Sequence, residues 1–240
     1  MNKKKGFIVG LFAIGVIILI YPNAAQFINN QIQQSYAEDF HAEAETTPTT
    51  TKQKKIEDAR ECNTAIFRND EGLSDPFTEG YNPHENPDCS QVLKEGSLTA
   101  DSQGNTTNID TFATLEIPKL GLHIPILLGA SDYTLSQGIG QVEGSSLPVG
   151  GLNSHTVLAG HRGMGTKEMF RNLDELQPGD VFYIHTLDER LVYQVESSAV
   201  ILPYETESLR VEEGKDLATL LTCHPYRSNT HRLVVYGVRR

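Results

Sequence analysis

A chain of 240 residues with 38% hydrophobic content holds enough apolar material for one good core and little room for two. Its formal charge of −11 comes without any basic stripe, which argues against nucleic acid as a partner. Three cysteines make an odd count, which matters once the compartment is known.

The chain opens with Lys3, Lys4 and Lys5, then Gly6 to Ile20 without a charge, then Tyr21 and Pro22. A basic cluster before an apolar run marks an exported or anchored chain. Pro22-Asn23-Ala24 and Asn23-Ala24-Ala25 are poor cleavage sites, so residues 1–22 read as an uncleaved membrane anchor with a single span. The rest of the chain then lies outside the cytoplasm.

Residues 23–68 read as a helical stalk. Phe27, Ile28, Ile32, Tyr36 and Phe40 approximate helical spacing from Ala24 to Ala44, and Thr46 to Thr51, with Pro48 inside, breaks that helix. A second helix is predicted over Lys52 to Phe67, with Ile56, Ala59, Asn63 and Ile66 on one face. Both are expected to stand solvated between membrane and domain. Residues 69–90 then read as a long loop rich in Asp, Glu, Gly, Asn and Pro, carrying Asp75-Pro76-Phe77 and Tyr81. A plain linker has no need of two aromatics, so this loop is a candidate lid. Cys62 and Cys89 bracket it. In an oxidising compartment they pair readily, and closing such a loop stabilises by roughly 3 to 4 kcal/mol in the chain-entropy picture. Cys223 is left as the free thiol.

Residues 91–240 read as a β domain. From Thr111 onward, short strands alternate with Gly and Pro signals: Ala113 to Ile117, His123 to Leu128, His155 to Leu158, Val181 to Thr186, Leu191 to Val200, Ala218 to Cys223 and Leu233 to Val238. One helix is expected at Lys167 to Leu176, before the Pro178-Gly179-Asp180 turn. Seven or so short strands point to a barrel or sandwich.

Cys223 ends one strand, His224 to His231 read as a loop, and Arg232 opens the next strand. If the two strands pair antiparallel, Cys223 and Arg232 are neighbours at one sheet end, and a guanidinium beside a thiol favours the nucleophilic thiolate. His161, in Leu-Ala-Gly-His-Arg-Gly after an apolar strand, is the best placed proton shuttle. His155 reads as structural, and His41, His84, His123 and His185 as surface or core. Cys223, His224 and His231 lack the second cysteine pair of a closed zinc site, so no metal or cofactor is expected. An inert core thiol fits the strand of Cys223 but not the polar loop after it. The His-then-Cys order also occurs in caspase-like proteases, whose Gln-Ala-Cys signature is absent here.

Thr219-Leu220-Leu221-Thr222-Cys223, Asn229-Thr230-His231-Arg232-Leu233 and Gly160-His161-Arg162-Gly163 together resemble a sortase. Gly144 to Gly151, Ile117-Pro118-Lys119 and Asp75-Pro76-Phe77 make the chain similar to class C, the pilus-assembling branch. The resemblance implies a mainly β fold, the eight-stranded sortase barrel with short helices and an N-terminal helical extension. It implies a cysteine transpeptidase in which Cys223 attacks the Thr-Gly carbonyl of an LPxTG-like sorting signal and a pilin lysine resolves the thioacyl enzyme into an isopeptide bond. His161 would move the protons, Arg232 would hold the substrate backbone and oxyanion, and Thr222 would support them. Asp75 is expected to pair near Arg232, and Phe77 to cover Cys223 and His161. Two other readings remain: a housekeeping sortase that anchors proteins to the cell wall, and a module that binds sorting signals without turnover. His224 departs from the Thr or Ser common after the cysteine, which puts a second imidazole next to the thiol in sequence.

Overall fold

The computed structural model describes residues 3–69, 72–78, 81, 89, 99–100, 106–108, 111–164 and 167–240; for 3–6, 99–100 and 106–108 it gives the backbone alone. His84 and much of the 69–90 loop lie outside the described residues.

Helix α1 runs unbroken from Lys3 to Thr46, with Pro22 inside it, so the expected anchor and first stalk helix are one element. Helix α2 spans Thr49–Asn69. Neither is a free-standing stalk. Gln33, Ala37, Phe40 and Ala44, spaced by three or four residues, are buried against the domain, whereas Phe27, Ile28 and Ile32 stay exposed. The large apolar residues at Phe27 to Ile32 concealed that face, because the docking stripe includes two alanines and a glutamine that admit close approach. In α2, Ile56, Ala59, Cys62 and Ile66 join Cys89, Leu147 and Val149 in one apolar cluster. Buried Asn63 lies in the same face, donating to Leu147 O at 3.1 Å and accepting from Leu147 N at 2.6 Å. Cys62 and Cys89 form the expected disulfide.

A two-stranded ribbon, β1 (Thr99–Ala100) with β2 (Thr106–Asn108), precedes the main sheet. The main sheet is made of β3 (Ala113–Ile117), β4 (Leu122–Leu128), β5 (Ile139–Gln141), β6 (Ser154–Ala159), β7 (Val181–His185), β8 (Arg190–Ile201), β9 (Asp216–His224) and β10 (His231–Arg239). These close into an eight-stranded barrel in the order β10-β8-β7-β3-β4-β5-β6-β9. The eighth strand, β5, has three residues, too few for alternation to show in sequence, yet it bridges β4 and β6. β4 and β5 pair in parallel, which demands a crossover. It is made by α3 (Asp132–Gln137), whose N-cap Ser131 accepts a bond from Thr134 N at 3.2 Å.

The helix expected at Lys167–Leu176 is absent. That segment makes turns and a single 3-10 turn at Leu173–Glu175. Met169 has a left-handed φ of 46°, which interrupts helical progression, and Met169, Phe170, Leu173 and Leu176 drop into the barrel core. Their spacing imitates an amphipathic helix while serving a loop that plugs the barrel. Tyr193, fully buried among them, satisfies its hydroxyl by donating to Asp216 Oδ1 at 2.8 Å.

Candidate active site

Parallel pairing of β6 with β9 sets the first two candidate residues side by side. Ala159 lies opposite Leu221, and Gly160 N donates to Leu221 O at 3.0 Å, continuing the pairing past the strand end. Two residues on from that register pair, His161 and Cys223 emerge on adjacent chains at one end of the barrel. Gly160 permits this exit, since a Cβ there would come within 2.6 Å of Ile139 and 2.8 Å of Phe170. Thr222 is fully buried and donates from Oγ1 to Gly160 O at 2.7 Å. Its hydroxyl is thus engaged in the wall, tying the cysteine strand to the histidine strand.

Antiparallel pairing of β9 with β10 sets Cys223 opposite Arg232 and His224 opposite His231. Arg232 is 1% exposed, and its guanidinium is fully engaged. Nε and Nη2 meet Asp75 Oδ1 and Oδ2 at 2.7 and 2.5 Å, and Nη1 donates to Asn229 O and His231 O at 3.2 and 2.8 Å. Asp75 is itself buried. A buried two-point pair of this kind is specific in geometry, and removing either partner strands the other charge. Two residues on, Phe77 lies beneath the Arg232 guanidinium, 5.3 Å from its carbon, and 5.8 Å from the His161 ring centre. The segment 72–78 therefore contacts Arg232 through Asp75 and Phe77, and His161 through Phe77.

Asn229 completes the cover. Its Oδ1 accepts from the Cys223 thiol at 3.3 Å, and its Nδ2 donates to Phe77 O at 3.0 Å. The sequence quotes Asn229 within a motif, but nothing in its spacing reveals that one amide bridges thiol and cover. A thiol that donates is a protonated thiol. Burial pushes the Cys223 pKa up; Arg232 pulls it down, Asp75 pushes it back up, and Arg162 pulls it down. Burial wins, and Asp75 offsets part of what Arg232 supplies. The His161 pKa is lowered, first by burial and then by Lys167, with Asp132 opposing. Both shifts favour the uncharged thiol and the uncharged imidazole.

Arg162, also buried, escaped the sequence reading. Its Nη2 bridges Asp174 Oδ2 at 2.9 Å, and its Nη1 donates to His224 Nδ1 at 2.5 Å. A guanidinium only donates, so Nδ1 of His224 is an acceptor and that ring is neutral. Burial and Arg162 both lower its pKa. The imidazole that follows the thiol in sequence is committed to Arg162.

His155, His41, His123 and His185 take structural places. His155 is buried between Arg210 O and Thr219 Oγ1, at 2.8 and 2.7 Å. His41 of α1 meets His123 of β4 at 3.4 Å, with His185 of β7 bonded to Glu116 beside them. Among the described residues, no group of three or more His, Cys, Asp and Glu side chains is arranged to hold a metal ion.

A thiol, an imidazole and a guanidinium at one end of a closed eight-stranded barrel are the groups that cysteine acyl transfer uses. Residues 115–240 match the Sortase domain, and the chain belongs to the sortase family, whose members are cysteine transpeptidases. Its structural neighbours are class C pilus sortases. Sortase C1 of GBS pilus island 1 superposes with a TM-score of 0.73 at 33% identity, covering 87% of this chain and 92% of that one. Sortase C of Streptococcus pneumoniae gives 0.71 at 33% identity, over 88% and 97%. Sortase D of Bacillus subtilis strain 168 is 26% identical over 175 residues, 64% of this chain and 85% of that protein.

Proposed function

We propose that this chain is a membrane-anchored pilin-joining transpeptidase, held off by a lid centred on Asp75, Pro76 and Phe77. The observation that carries this reading is the Asp75–Arg232 pair with Phe77 beside His161, because it supplies both the chemistry and the reason for restraint. The class C identity of the structural neighbours supports pilins as the substrates. The apolar run of α1, exposed throughout and near the N-terminus, supports anchoring.

In the reaction, an LPxTG-like sorting signal displaces the lid. Loss of Phe77 exposes the thiol to substrate, and loss of Asp75 leaves the Arg232 charge to favour the thiolate. The thiol passes its proton to His161, and the thiolate so formed attacks the carbonyl carbon of the Thr-Gly bond. Arg232 stabilises the oxyanion, and His161 delivers a proton to the departing glycine amine as the C–N bond breaks. A thioacyl enzyme remains. A pilin lysine amine then gives its proton to His161, attacks the thioester and expels the Cys223 thiolate, leaving an isopeptide bond. The net exchange is one amide for another, so no cofactor is required.

The test incubates the full chain and its Asp75→Ala, Phe77→Ala variant with an LPxTG-containing peptide and a pilin domain, followed by intact and tryptic mass spectrometry. The expected products are an acylated Cys223 peptide and a threonine-to-lysine cross-link, formed faster by the variant. Transfer to a glycine amine with no lysine product would indicate an anchoring enzyme, and no acylation at all a binding module.

A further inference from the structure

The contacts of α1, taken in order, orient the barrel. Gln26, with its amide turned so that Oε1 accepts, meets both terminal nitrogens of Arg171 at 2.9 and 2.7 Å. Asn30 donates to Glu168 Oε2 at 3.2 Å, and Gln33 to Met169 Sδ at 3.2 Å and Gln137 O at 3.4 Å. Those loop residues follow His161, and Phe170 N donates to His161 O at 3.0 Å. Only later does α1 reach His123 and, through His41, His185. His185 pairs with Arg190 at the start of β8, whereas Ile201, at the other end of that strand, pairs with Arg232. The helix therefore leaves its apolar run, passes the candidate active end first and the opposite end last.

The distances are short. Gln26 lies five residues beyond Tyr21, about 7.5 Å along a helix, and a headgroup layer is roughly 5 to 8 Å thick. At that level the β9–β10 loop presents Tyr226, 42% exposed. The Arg171 and Arg227 guanidinium carbons lie 5.7 and 5.4 Å from its ring centre. An aromatic ring between two guanidiniums suits an interface that is apolar on one side and phosphate-lined on the other. Of the acidic groups on this edge, Glu168 bonds Asn30 and Asn172 and Asp174 pairs with Arg162, while Glu175 is exposed.

We propose that Tyr226, Arg171 and Arg227 rest on the phosphate layer of the membrane that holds α1, so that the active-site mouth opens at the bilayer surface. This rests on the anchored reading above. It makes the loop following Cys223 a lipid contact, and it favours substrates presented close to the same bilayer over substrates free in solution.

The chain has no tryptophan, so a single introduced one reports alone. Full chains carrying Tyr226→Trp, or Leu152→Trp just before the start of β6 at the far end, are placed in nanodiscs whose phospholipids are brominated near the headgroup. Co-elution with the discs checks the anchor independently. The expected result is quenching of the 226 emission at least about twofold, with the 152 emission unchanged, and weaker quenching at 226 when Arg171 and Arg227 are both changed to glutamate. Quenching in both phosphatidylcholine and phosphatidylglycerol discs assigns the contact to the phosphate itself; quenching in phosphatidylglycerol alone assigns it to anionic lipid. Co-elution with an unquenched 226 emission, or with equal quenching at 226 and 152, overturns the docked orientation while sparing the anchor. Failure to co-elute overturns both.

Discussion

Two buried arginines flank Cys223, and they are held in opposite ways. Arg162, next to His161, is tied to Asp174 and His224, both in the barrel domain. Arg232, opposite Cys223 on β10, is tied to Asp75, 157 residues away in sequence on the candidate lid. Both pull the thiol pKa down, but only the second has its counter-ion on a segment far off in sequence. A cation whose counter-ion sits in the scaffold is a fixed background. Under the proposed lid, Arg232 is instead a switch, because opening would remove both an opposing charge and burial of the thiol.

The largest effect expected from breaking this contrast is that of Arg232→Ala. It strands the buried Asp75 carboxylate, a loss of about 3 to 5 kcal/mol, and removes the proposed oxyanion donor, a loss on the order of 10²- to 10³-fold in turnover. Denaturant titration and peptide cleavage measure the two separately. Next comes Phe77→Ala, which uncovers the thiol but leaves Asp75 paired. We expect faster alkylation of Cys223 with less movement of its pH midpoint than Asp75→Ala produces, by stopped-flow thiol labelling. Arg162→Ala is expected to do less, slowing labelling by about threefold, since it removes the weakest of the four influences on the thiol. Its clearer signature is in the His224 ring, whose pKa rises toward the ordinary value once Arg162 is gone, as read by NMR titration.

The smallest effect tests the helix contact far from the thiol. Burial lowers the pKa values of His41 and His123, and each is lowered further by neighbouring histidines, while Glu116, Glu38 and Glu45 oppose. A depressed folded-state value means that the undocked helix takes up protons first. Stability from this contact is present above the ordinary histidine pKa and is lost as pH falls below it. Thermal melting at mildly acidic pH should fall by a few degrees relative to neutral pH, and His41→Gln should flatten that dependence.

The particular residues explain how far the sequence could be read. Cys223 opposite Arg232 follows from a strand, a loop with turn residues and a second strand, all local signals, and the structure places them as register partners. The Asp75–Arg232 contact was legible only through family resemblance, since no local pattern joins residues 157 apart. Seven alternating strands pointed to a barrel or sandwich, and the family resemblance chose the barrel, whereas β5, of three residues, carries no period of its own. The 167–176 segment was misread because core-facing residues of a loop fell at helical spacing. The docking face of α1 was missed because alanines and a glutamine bury there while bulkier residues remain outside. Asn229 and Arg162 act through partners brought in by the tertiary fold, which spacing cannot disclose.

The central claim is that Asp75 restrains the thiol electrostatically as well as by cover, and one pH profile addresses it. Cys223 labelling by a small alkylating reagent would be followed from about pH 5 to pH 9 in the intact chain and in Asp75→Ala, with the Cys62–Cys89 disulfide kept oxidised. Burial and Asp75 hold the thiol pKa up in the closed state, so the variant's midpoint should move to lower pH, with a labelling rate at neutral pH about tenfold higher for each unit moved. A faster reaction with an unchanged midpoint would mean that the lid only covers. Identical profiles in the two proteins would contradict the account.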